Sequence, residues 1–388
     1  MAGQTAERHD VSVKAMIPDR ELDQIVSELT RIWQELLGVP AITPDQNYFD
    51  LGGDSPLAVQ LFARIEKSFD VKLPLATLFE APTIEALADL LRQEPAESSW
   101  SSIVPIQPKG SRPPFFCVHG AGGNVLIYRD LSSRLGPDQP FYGLQSLGMD
   151  GSCAPLNRVE EMATLYAREI RKVQRHGPYY LGGYCLGGTI AFELARQLQA
   201  KGERIALLAL FDTLNWGKIP LPTFWAKSYH GLERLFFHAA NILRLDNRGK
   251  ARFLSEKAKI LRARLPVWRG MLLRKFSGKS GGSSESRVLS QIWLANDQAA
   301  MEYRPKSFAG TVTDFRPLRQ YRWYKRPGTK WEALAEGGET IVELPVYPAG
   351  MLVEPFVQHL AGALEESITE AIERSRRQPT HGNLRATG

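Results

Sequence analysis

Short apolar segments alternate with helical segments along most of the chain, and this alternation is the strongest constraint on its fold. Two of the apolar segments, residues 115–118 and 179–181, lead directly into glycines, and a third, residues 205–211, is uniformly apolar. Strands that alternate with helices favour a doubly wound, mostly parallel sheet. Further strands are predicted at residues 311–315 and 341–346, and a closing helix at residues 353–375. We therefore predict an α/β domain over residues 103–375.

The N-terminal region has helical periodicity instead. Helices are predicted at residues 21–37, 55–69 and 83–91, where apolar side chains recur every three or four positions. Asp54 or Ser55 would cap the second of these helices. The pattern predicts a small helical domain over residues 19–92, of the size of a separate module.

Segments of biased composition flank the two predicted domains. Residues 1–18 and 376–388 are polar and are predicted to be tails. Residues 93–102 are rich in Pro, Glu and Ser without periodicity, which is typical of a linker. About ninety residues, 213–300, interrupt the strand pattern after an apolar strand. We predict that this insertion is a large helical lid.

Composition excludes several classes of protein. The longest apolar run, residues 205–211, is far shorter than the roughly 20 residues that cross a bilayer. The N-terminus resembles neither a secretory signal nor a transit peptide, so we expect a cytoplasmic location. The three cysteines, Cys117, Cys153 and Cys185, cannot form a disulfide framework. No pair of Cys or His has zinc-ligand spacing, and we expect no metal.

Charge is distributed unevenly along the chain. Residues 20–95 contain 6 Lys+Arg and 13 Asp+Glu, whereas residues 216–280 contain 15 and 3. An acidic module can be steered toward a basic lid, which is one interpretation of this contrast. A second is contact of the basic lid with an anionic membrane surface, and ordinary packing is the simplest. The basic segment contains no recognised nucleic-acid module, so we do not expect nucleic-acid binding.

A candidate modification site lies at the start of the second predicted helix. Two glycines precede Ser55 in the sequence Asp-Leu-Gly-Gly-Asp-Ser, and they allow a tight turn that exposes its hydroxyl. The hexapeptide alone fits a helix cap equally well. Residues 47–57, followed by Phe-Glu-Ala-Pro-Thr-Ile at residues 79–84, resemble a peptidyl carrier protein of nonribosomal peptide synthetases across residues 20–92. The resemblance implies that a phosphopantetheinyl transferase attaches 4′-phosphopantetheine to Ser55, and that its thiol holds an acyl or peptidyl group.

A candidate nucleophile lies between a predicted strand and a predicted helix. Residues 183–187, Gly-Tyr-Cys-Leu-Gly, have the spacing of a nucleophile elbow, with Cys185 in place of the usual serine. Glycines two positions before and after are needed because the turn is strained and the helix packs closely. The helix N-terminus favours an anion beside Cys185. A lone cysteine is usually a small buried hydrophobe, and that interpretation is retained for Cys117 and Cys153.

Two further segments complete the candidate site. The strand at residues 115–118 ends in His-Gly-Ala-Gly-Gly, and the backbone N–H groups of Ala121 and Leu186 would form an oxyanion hole. His119 belongs to this loop, and we interpret it as structural rather than as a base. Asp212 follows a buried strand, where it could orient an imidazole or simply cap a turn.

These motifs, together with Tyr-Arg-Pro at residues 303–305 and residues 351–357, resemble a type I thioesterase domain of the α/β-hydrolase fold across residues 103–372. A carrier followed by a thioesterase is the usual end of a peptide assembly line. The resemblance implies transfer of the acyl chain from the carrier to the elbow nucleophile. Release to water, or to an internal hydroxyl or amine, follows.

The sequence departs from that family at the position of the catalytic base. The family histidine lies three residues before a Met-Leu pair, and Pro348 occupies this position here. His359 is predicted within the closing helix, and His176 at the opposite end of the sheet. His230 and His238 could reach the site only if the lid folds over it.

Cysteine in place of the usual serine at position 185 and proline in place of the family histidine at position 348 suggest a single adaptation. A serine needs a base, whereas a thiol is partly ionised near neutral pH, so Cys185 could be loaded without a histidine. Hydrolysis of the acyl-cysteine would then lack a base for water. Release to an amine, or to a partner enzyme, is the resulting hypothesis.

The sequence therefore predicts chain release in nonribosomal peptide or hybrid polyketide biosynthesis, with Ser55 as carrier serine and Cys185 as covalent nucleophile. Asp212 would be a vestigial or reassigned triad acid. The implied partners are the transferase and the upstream condensation and adenylation modules. An acyltransferase and a catalytically inactive module that presents the carrier are the alternatives, and Pro348 favours the second.

Overall fold

The structure is a computed structural model that describes residues 22–92, 100–214, 284–318, 331–346 and 350–377. The chain divides into two compact units, Met1–Ser99 and Trp100–Gly388, and each is described by itself. The two predicted tails, most of the linker and the basic part of the predicted lid lie outside the described residues. Among the helices that the structure describes, none has the length and hydropathy that a membrane span requires.

The first unit contains four helices within residues 22–92, and the predicted helical carrier fold is confirmed. They are α1 (Leu22–Leu37), α2 (Ser55–Phe69), α3 (Thr77–Glu80) and α4 (Ile84–Arg92). The core-facing side chains of α1 recur at helical spacing, with Ile25, Leu29 and Leu36 all buried. Burial of this stripe against α2 and α4 holds the unit together.

Tyr48 ties the loop before α2 to the rest of the first unit. Its ring is buried and lies edge-on to Trp33, with the ring centroids 5.3 Å apart. Its N–H donates to the Pro82 carbonyl at 2.8 Å, and its hydroxyl donates to the Asp54 carbonyl at 3.1 Å. The residue that precedes Ser55 is therefore held by the core rather than by the loop alone.

The second unit is built on a seven-stranded sheet in the part of the chain that the structure describes. Its strands are β1 (Ile103–Gln107), β2 (Phe115–Val118), β3 (Phe141–Leu144), β4 (Tyr179–Tyr184), β5 (Ile205–Phe211), β6 (Val312–Pro317) and β7 (Glu339–Leu344). The strand order is β1-β3-β2-β4-β5-β6-β7, and only β1 pairs in antiparallel fashion. The predicted doubly wound α/β fold is confirmed.

Helices pack on both faces of the sheet. They are α5 (Arg129–Arg134), α6 (Val159–Val173), α7 (Leu186–Gln199), α8 (Ser284–Glu302) and α9 (Val357–Arg377). Alternate residues of β4 contact opposite faces of the sheet. Leu181 joins the core cluster with α6 and α7, whereas the Tyr180 hydroxyl lies near Ser375 of α9.

Three predicted boundaries need correction. The predicted linker extends too far, because Ser102 is buried and its carbonyl accepts the Gln145 N–H at 2.8 Å. The closing helix begins at Val357 rather than at residue 353, since residues 353–356 form turns around Pro355. The predicted lid ends in α8, whose last turn reaches Glu302.

The sheet brings the candidate site residues to one edge. Val118 of β2 lies opposite Gly183 of β4, and Tyr184 of β4 lies opposite Phe211 of β5. The residues that follow these strand ends therefore emerge together, at the carboxyl edge where parallel sheets bind ligands.

Gly187 allows the first turn of α7 to lie close to the carboxyl edge of the sheet. A Cβ at Gly187 would lie 2.3 Å from the Val118 carbonyl oxygen, so Gly187→Ala must displace the first turn of α7. We expect Gly187→Ala to destabilise the second unit by about 1–3 kcal/mol. The exposed Gly362 of α9 has open space around it, and Gly362→Ala should stabilise by about 0.5–1 kcal/mol. Urea unfolding of the two variants measures both changes, and equal midpoints would contradict the expectation.

Candidate active site

Cys185 occupies a strained turn between β4 and α7. Its backbone lies at φ 56 and ψ −117, a conformation that side-chain-bearing residues seldom adopt. A Cβ at Gly183 would lie 2.2 Å from the backbone carbon of Gly187, so both glycines are needed for the chain to fold back on itself. This strand-turn-helix is the geometry of a nucleophile elbow.

Hydrogen bonds between strand ends hold Cys185 beside Asp212. The Cys185 N–H donates to the Phe211 carbonyl at 3.0 Å, which places the elbow next to the residue after β5. The Asp212 N–H in turn donates to the Phe315 carbonyl of β6 at 2.9 Å. Asp212 also has a left-handed backbone, with φ 44. Two strained residues therefore lie side by side at the end of the sheet.

The surroundings of Cys185 disfavour its thiolate. Burial raises the pKa of the Cys185 thiol to about 12, and the negative charges of Asp212 and Asp297 act in the same direction. A hydrogen bond from the Leu186 N–H opposes them. The expectation of a partly ionised thiol near neutral pH stays a prediction, and burial, followed by the two acids, acts against it.

Asp212 is itself perturbed. Burial raises the pKa of its carboxyl group to about 7, and its Oδ1 is buried without a hydrogen-bond partner among the described residues. Pro348, at the position of the family histidine, lies outside the described residues, as do His230 and His238. His359 lies in the first turn of α9, and His176 precedes β4, 3.4 Å from Glu203.

The loop after β2 faces the elbow. A Cβ at Gly120 would lie 3.6 Å from the Tyr184 carbonyl oxygen, so the loop and the turn are in contact. The Gly120 carbonyl accepts the Gly123 N–H at 3.0 Å and lies 2.6 Å from His119 Nδ1. Because this carbonyl and the Ala121 N–H share one peptide plane, these contacts orient the Ala121 N–H.

His119 is positioned as a structural residue. Its Nε2 lies 2.7 Å from the Tyr166 hydroxyl, and its Nδ1 faces a carbonyl and therefore carries the proton. Burial lowers the pKa of His119 to about 4, so it is neutral at physiological pH. Both ring nitrogens are engaged within the interior, which agrees with the interpretation that it is not the base.

Helix α8 supports the same loop. The Asn296 Nδ2 donates to the Ala121 carbonyl at 2.8 Å, and Asn296 is fully buried. The next residue, Asp297, is the second acid, after Asp212, whose negative charge raises the pKa of the Cys185 thiol. Sequence reasoning missed both residues and placed them in a lid. A single Asn among the buried positions Ile292, Ala295 and Ala299 was the available signal.

Ser55 begins α2 and is partly exposed. Asp54, not Ser55, supplies the cap, since its Oδ1 accepts the Leu57 N–H at 2.9 Å. A Cβ at Gly53 would lie 2.3 Å from the Tyr48 ring, so this position needs glycine for the turn to pack. A hydroxyl that is not used as the cap, at a helix N-terminus that favours a phosphodiester, fits an attached 4′-phosphopantetheine.

The raised pKa of Asp212 has a consequence for stability. The folded state holds this proton more tightly than an unfolded chain, whose carboxyl titrates near 3.8, so stability falls as pH rises from about 4 to about 7. Asp212→Asn removes the buried charge. We expect it to stabilise the second unit at pH 8 by on the order of 2–4 kcal/mol, with no gain near pH 4.

The measurement is thermal or urea unfolding at both pH values. Glu366→Gln, which removes an exposed carboxylate of α9, is the matched control and should give no such pH-dependent gain. An Asp212→Asn variant that is no more stable than the parent at pH 8 would contradict the assignment.

Comparisons with known proteins agree with both units. Residues 27–91 match the family model of a phosphopantetheine attachment site, and residues 113–216 match that of a thioesterase domain. Malpinin synthetase of Mortierella alpina is 43% identical over 187 residues, which are 48% of this chain and 2% of that protein. A dimodular nonribosomal peptide synthase of Bacillus subtilis is 41% identical over 184 residues, 47% of this chain and 8% of that protein.

A solved structure is similar along almost the whole chain. The crystal structure of a four-domain nonribosomal peptide synthetase bound to AMP and glycine aligns with a TM-score of 0.55 and 25% identity. The alignment covers 97% of this chain and 27% of that one, so the chain spans only a small part of its relatives. The predicted resemblance is thus confirmed for both domains: a phosphopantetheine attachment domain, which indicates covalent 4′-phosphopantetheine, precedes a thioesterase domain.

Proposed function

We propose that this chain releases acyl or peptidyl groups in nonribosomal peptide biosynthesis, with Cys185 as the covalent nucleophile. The observation that carries the proposal is the strained backbone of Cys185 at the turn between β4 and α7. Strain of this kind persists only where the surrounding structure imposes it, and it clusters at functional sites. A module that only presented a carrier would have no need of it.

Ser55 is the proposed attachment point of the arm, which supplies a thiol that holds the acyl group as a thioester. The Cys185 sulfur attacks the thioester carbonyl carbon and forms a new C–S bond. The C–S bond to the pantetheine sulfur breaks, and the proton of the Cys185 thiol passes to this departing sulfur, so one thioester replaces another. The backbone N–H groups of Ala121 and Leu186 stabilise the oxyanion that forms in between. Release of the acyl group from Cys185 by hydrolysis, cyclisation or transfer to an amine completes the reaction.

The proposed partners follow from the carrier. A phosphopantetheinyl transferase modifies Ser55, and upstream condensation and adenylation modules supply the acyl or peptidyl group. The location is proposed to be the cytoplasm, where such synthesis occurs.

The test is intact-protein mass spectrometry of the chain after Ser55 has received a pantetheine arm with a simple acyl group. We expect the acyl group to reach Cys185 in the parent and in Cys153→Ala. Cys153 is exposed, so its interpretation as a buried hydrophobe is wrong, and its replacement removes a cysteine outside the site. In Cys185→Ala, loss of the acyl group from Ser55 should slow by at least about 100-fold.

Ser55→Ala serves as the second control and should accept no arm. Equal acyl loss in the parent and in Cys185→Ala would overturn the proposal and favour a module that only presents its carrier.

A further inference from the structure

We propose that the second unit binds a small organic phosphate in a polar cavity at the amino edge of its sheet. The cavity has a volume of about 360 Å³ and lies between the first residues of β5, β6 and β7 and the C-terminal half of α9. Cys185 and Asp212 follow the carboxyl ends of β4 and β5. The cavity is therefore separate from the candidate active site, and the proposed site goes beyond the proposed function without depending on it.

The helical wall of the cavity is polar. Earlier in α9, the side chains of Leu360, Leu364 and Ile368 are buried in the core. The lining that the same helix gives to the cavity comprises Ser367, Glu370, Ala371, Arg374 and Ser375. These positions recur every three or four residues, so they share one face of the helix. Packing against a sheet favours apolar side chains on such a face, and its polar composition indicates a different role.

Threonines form the opposite wall. Thr313 of β6 and Thr340 of β7 are direct partners in the parallel register, and Thr311 lies two positions before Thr313. Positions two apart in a strand lie on the same face of the sheet, so the three side chains belong to one surface. Hydroxyl groups therefore line the cavity from the sheet as well as from α9.

Arginines from two elements give the cavity positive charge. Arg204, directly before β5, and Arg374 of α9 both line it. A basic residue near the end of a helix complements the helix dipole, which accounts for Arg374 but not for Arg204. Guanidinium groups bind phosphate oxygens through paired N–H donors. Two of them in one cavity with hydroxyl groups favour a phosphate as the ligand.

Further positive charge lies beside the cavity, around Tyr180. Burial raises the pKa of Tyr180, whereas its contact with Ser375 and the positive charges of Arg204, Arg112 and Arg376 lower it. Ser375 is itself part of the cavity lining. Arg112 precedes β2, and Arg376 belongs to the last turn of α9. Guanidinium groups from three parts of the chain therefore act on one point next to the cavity.

Two acids also line the cavity, and one of them is engaged with other groups. Glu203 accepts the Gly177 N–H at 2.9 Å and lies 3.4 Å from Arg171. Glu370 of α9 is exposed and lies four positions before Arg374. Its charge opposes that of a bound phosphate, so removal of the Glu370 carboxylate should strengthen binding.

The volume and the hydroxyl groups select the class of phosphate. The share of one water molecule in the liquid is about 30 Å³, so the cavity has room for about a dozen, which is more than a phosphate ion fills. The Thr311 hydroxyl donates to the Gly337 carbonyl at 3.1 Å, and the Ser367 hydroxyl donates to the Ala363 carbonyl at 2.9 Å. Such hydroxyls can only accept from a ligand. A phosphate monoester of a small molecule with hydroxyl groups, such as a sugar phosphate, meets both conditions.

The first test is isothermal titration calorimetry of the full chain with ribose 5-phosphate, with inorganic phosphate and ribose as the two halves of this probe. We expect ribose 5-phosphate to bind at least about tenfold more tightly than inorganic phosphate, and ribose to bind more weakly than either. Equal affinities for ribose 5-phosphate and inorganic phosphate would overturn the inference, as would the absence of ribose 5-phosphate binding at about 10 mM.

The second test measures the affinity of variants for ribose 5-phosphate. Arg204→Gln and Arg374→Gln each remove one guanidinium from the cavity and should weaken binding by at least about tenfold. Glu370→Gln removes the opposing carboxylate and should strengthen binding by about twofold or more. Arg377→Gln is the matched control, because Arg377 lies in the last turn of α9, 3.6 Å from Glu373 and outside the cavity lining.

The Arg377→Gln variant should bind ribose 5-phosphate as the parent does, and circular dichroism checks that each variant is folded. An equal loss of affinity in Arg377→Gln and Arg374→Gln would overturn the inference. So would a Glu370→Gln variant that binds ribose 5-phosphate no more tightly than the parent.

Discussion

The left-handed backbone of Cys185 depends on one close approach, that of the first turn of α7 to the end of β2. Gly187 permits it, because any Cβ there would overlap the Val118 carbonyl. Once α7 is seated, the chain must reverse within a single residue, and Cys185 takes φ 56 to do so. The turn at Cys185, the loop after β2 and Asp212 after β5 are therefore placed by backbone packing, which fixes the frame on which the side chains are arranged.

The same packing creates an electrostatic conflict. Closing the site buries the Cys185 thiol and the Asp212 carboxyl together, and burial disfavours the charged form of each. The pKa of the Cys185 thiol is raised to about 12 and that of the Asp212 carboxyl to about 7. Burial of such groups lowers the free energy of unfolding, which is a common cost of a reactive site.

The sequence predicted the elements with strong local signals. Helix α2 and strands β2 and β5 have the predicted bounds, because caps, glycines and apolar runs mark their ends. Strands β1 and β3 were missed, since β1 contains Pro105 and β3 contains Gly143 and neither has a clear period.

The candidate site was only partly predictable for a related reason. Cys185, Asp212 and Ala121 follow strand ends, and strand ends can be found from the pattern. The pKa of the Cys185 thiol is raised by burial first, then by Asp212 and Asp297. Asp297 is more than a hundred positions away, on a helix that sequence reasoning assigned to a lid. The residues next to Cys185 in the sequence do not indicate a charge that tertiary packing brings close to it.

Asp314 shows how this fold offsets the charge of a buried acid. Arg316 lies 2.6 Å from Asp314 and 2.5 Å from Glu339, so one guanidinium serves two carboxylates within the sheet. His119 could not serve Asp212 in this way, because burial holds its pKa near 4 and both of its nitrogens face other partners. A neutral, fully engaged imidazole supplies neither charge nor proton. Among the described residues, by contrast, burial alone sets the pKa of Asp212, and no guanidinium or ammonium offsets its charge as Arg316 does for Asp314.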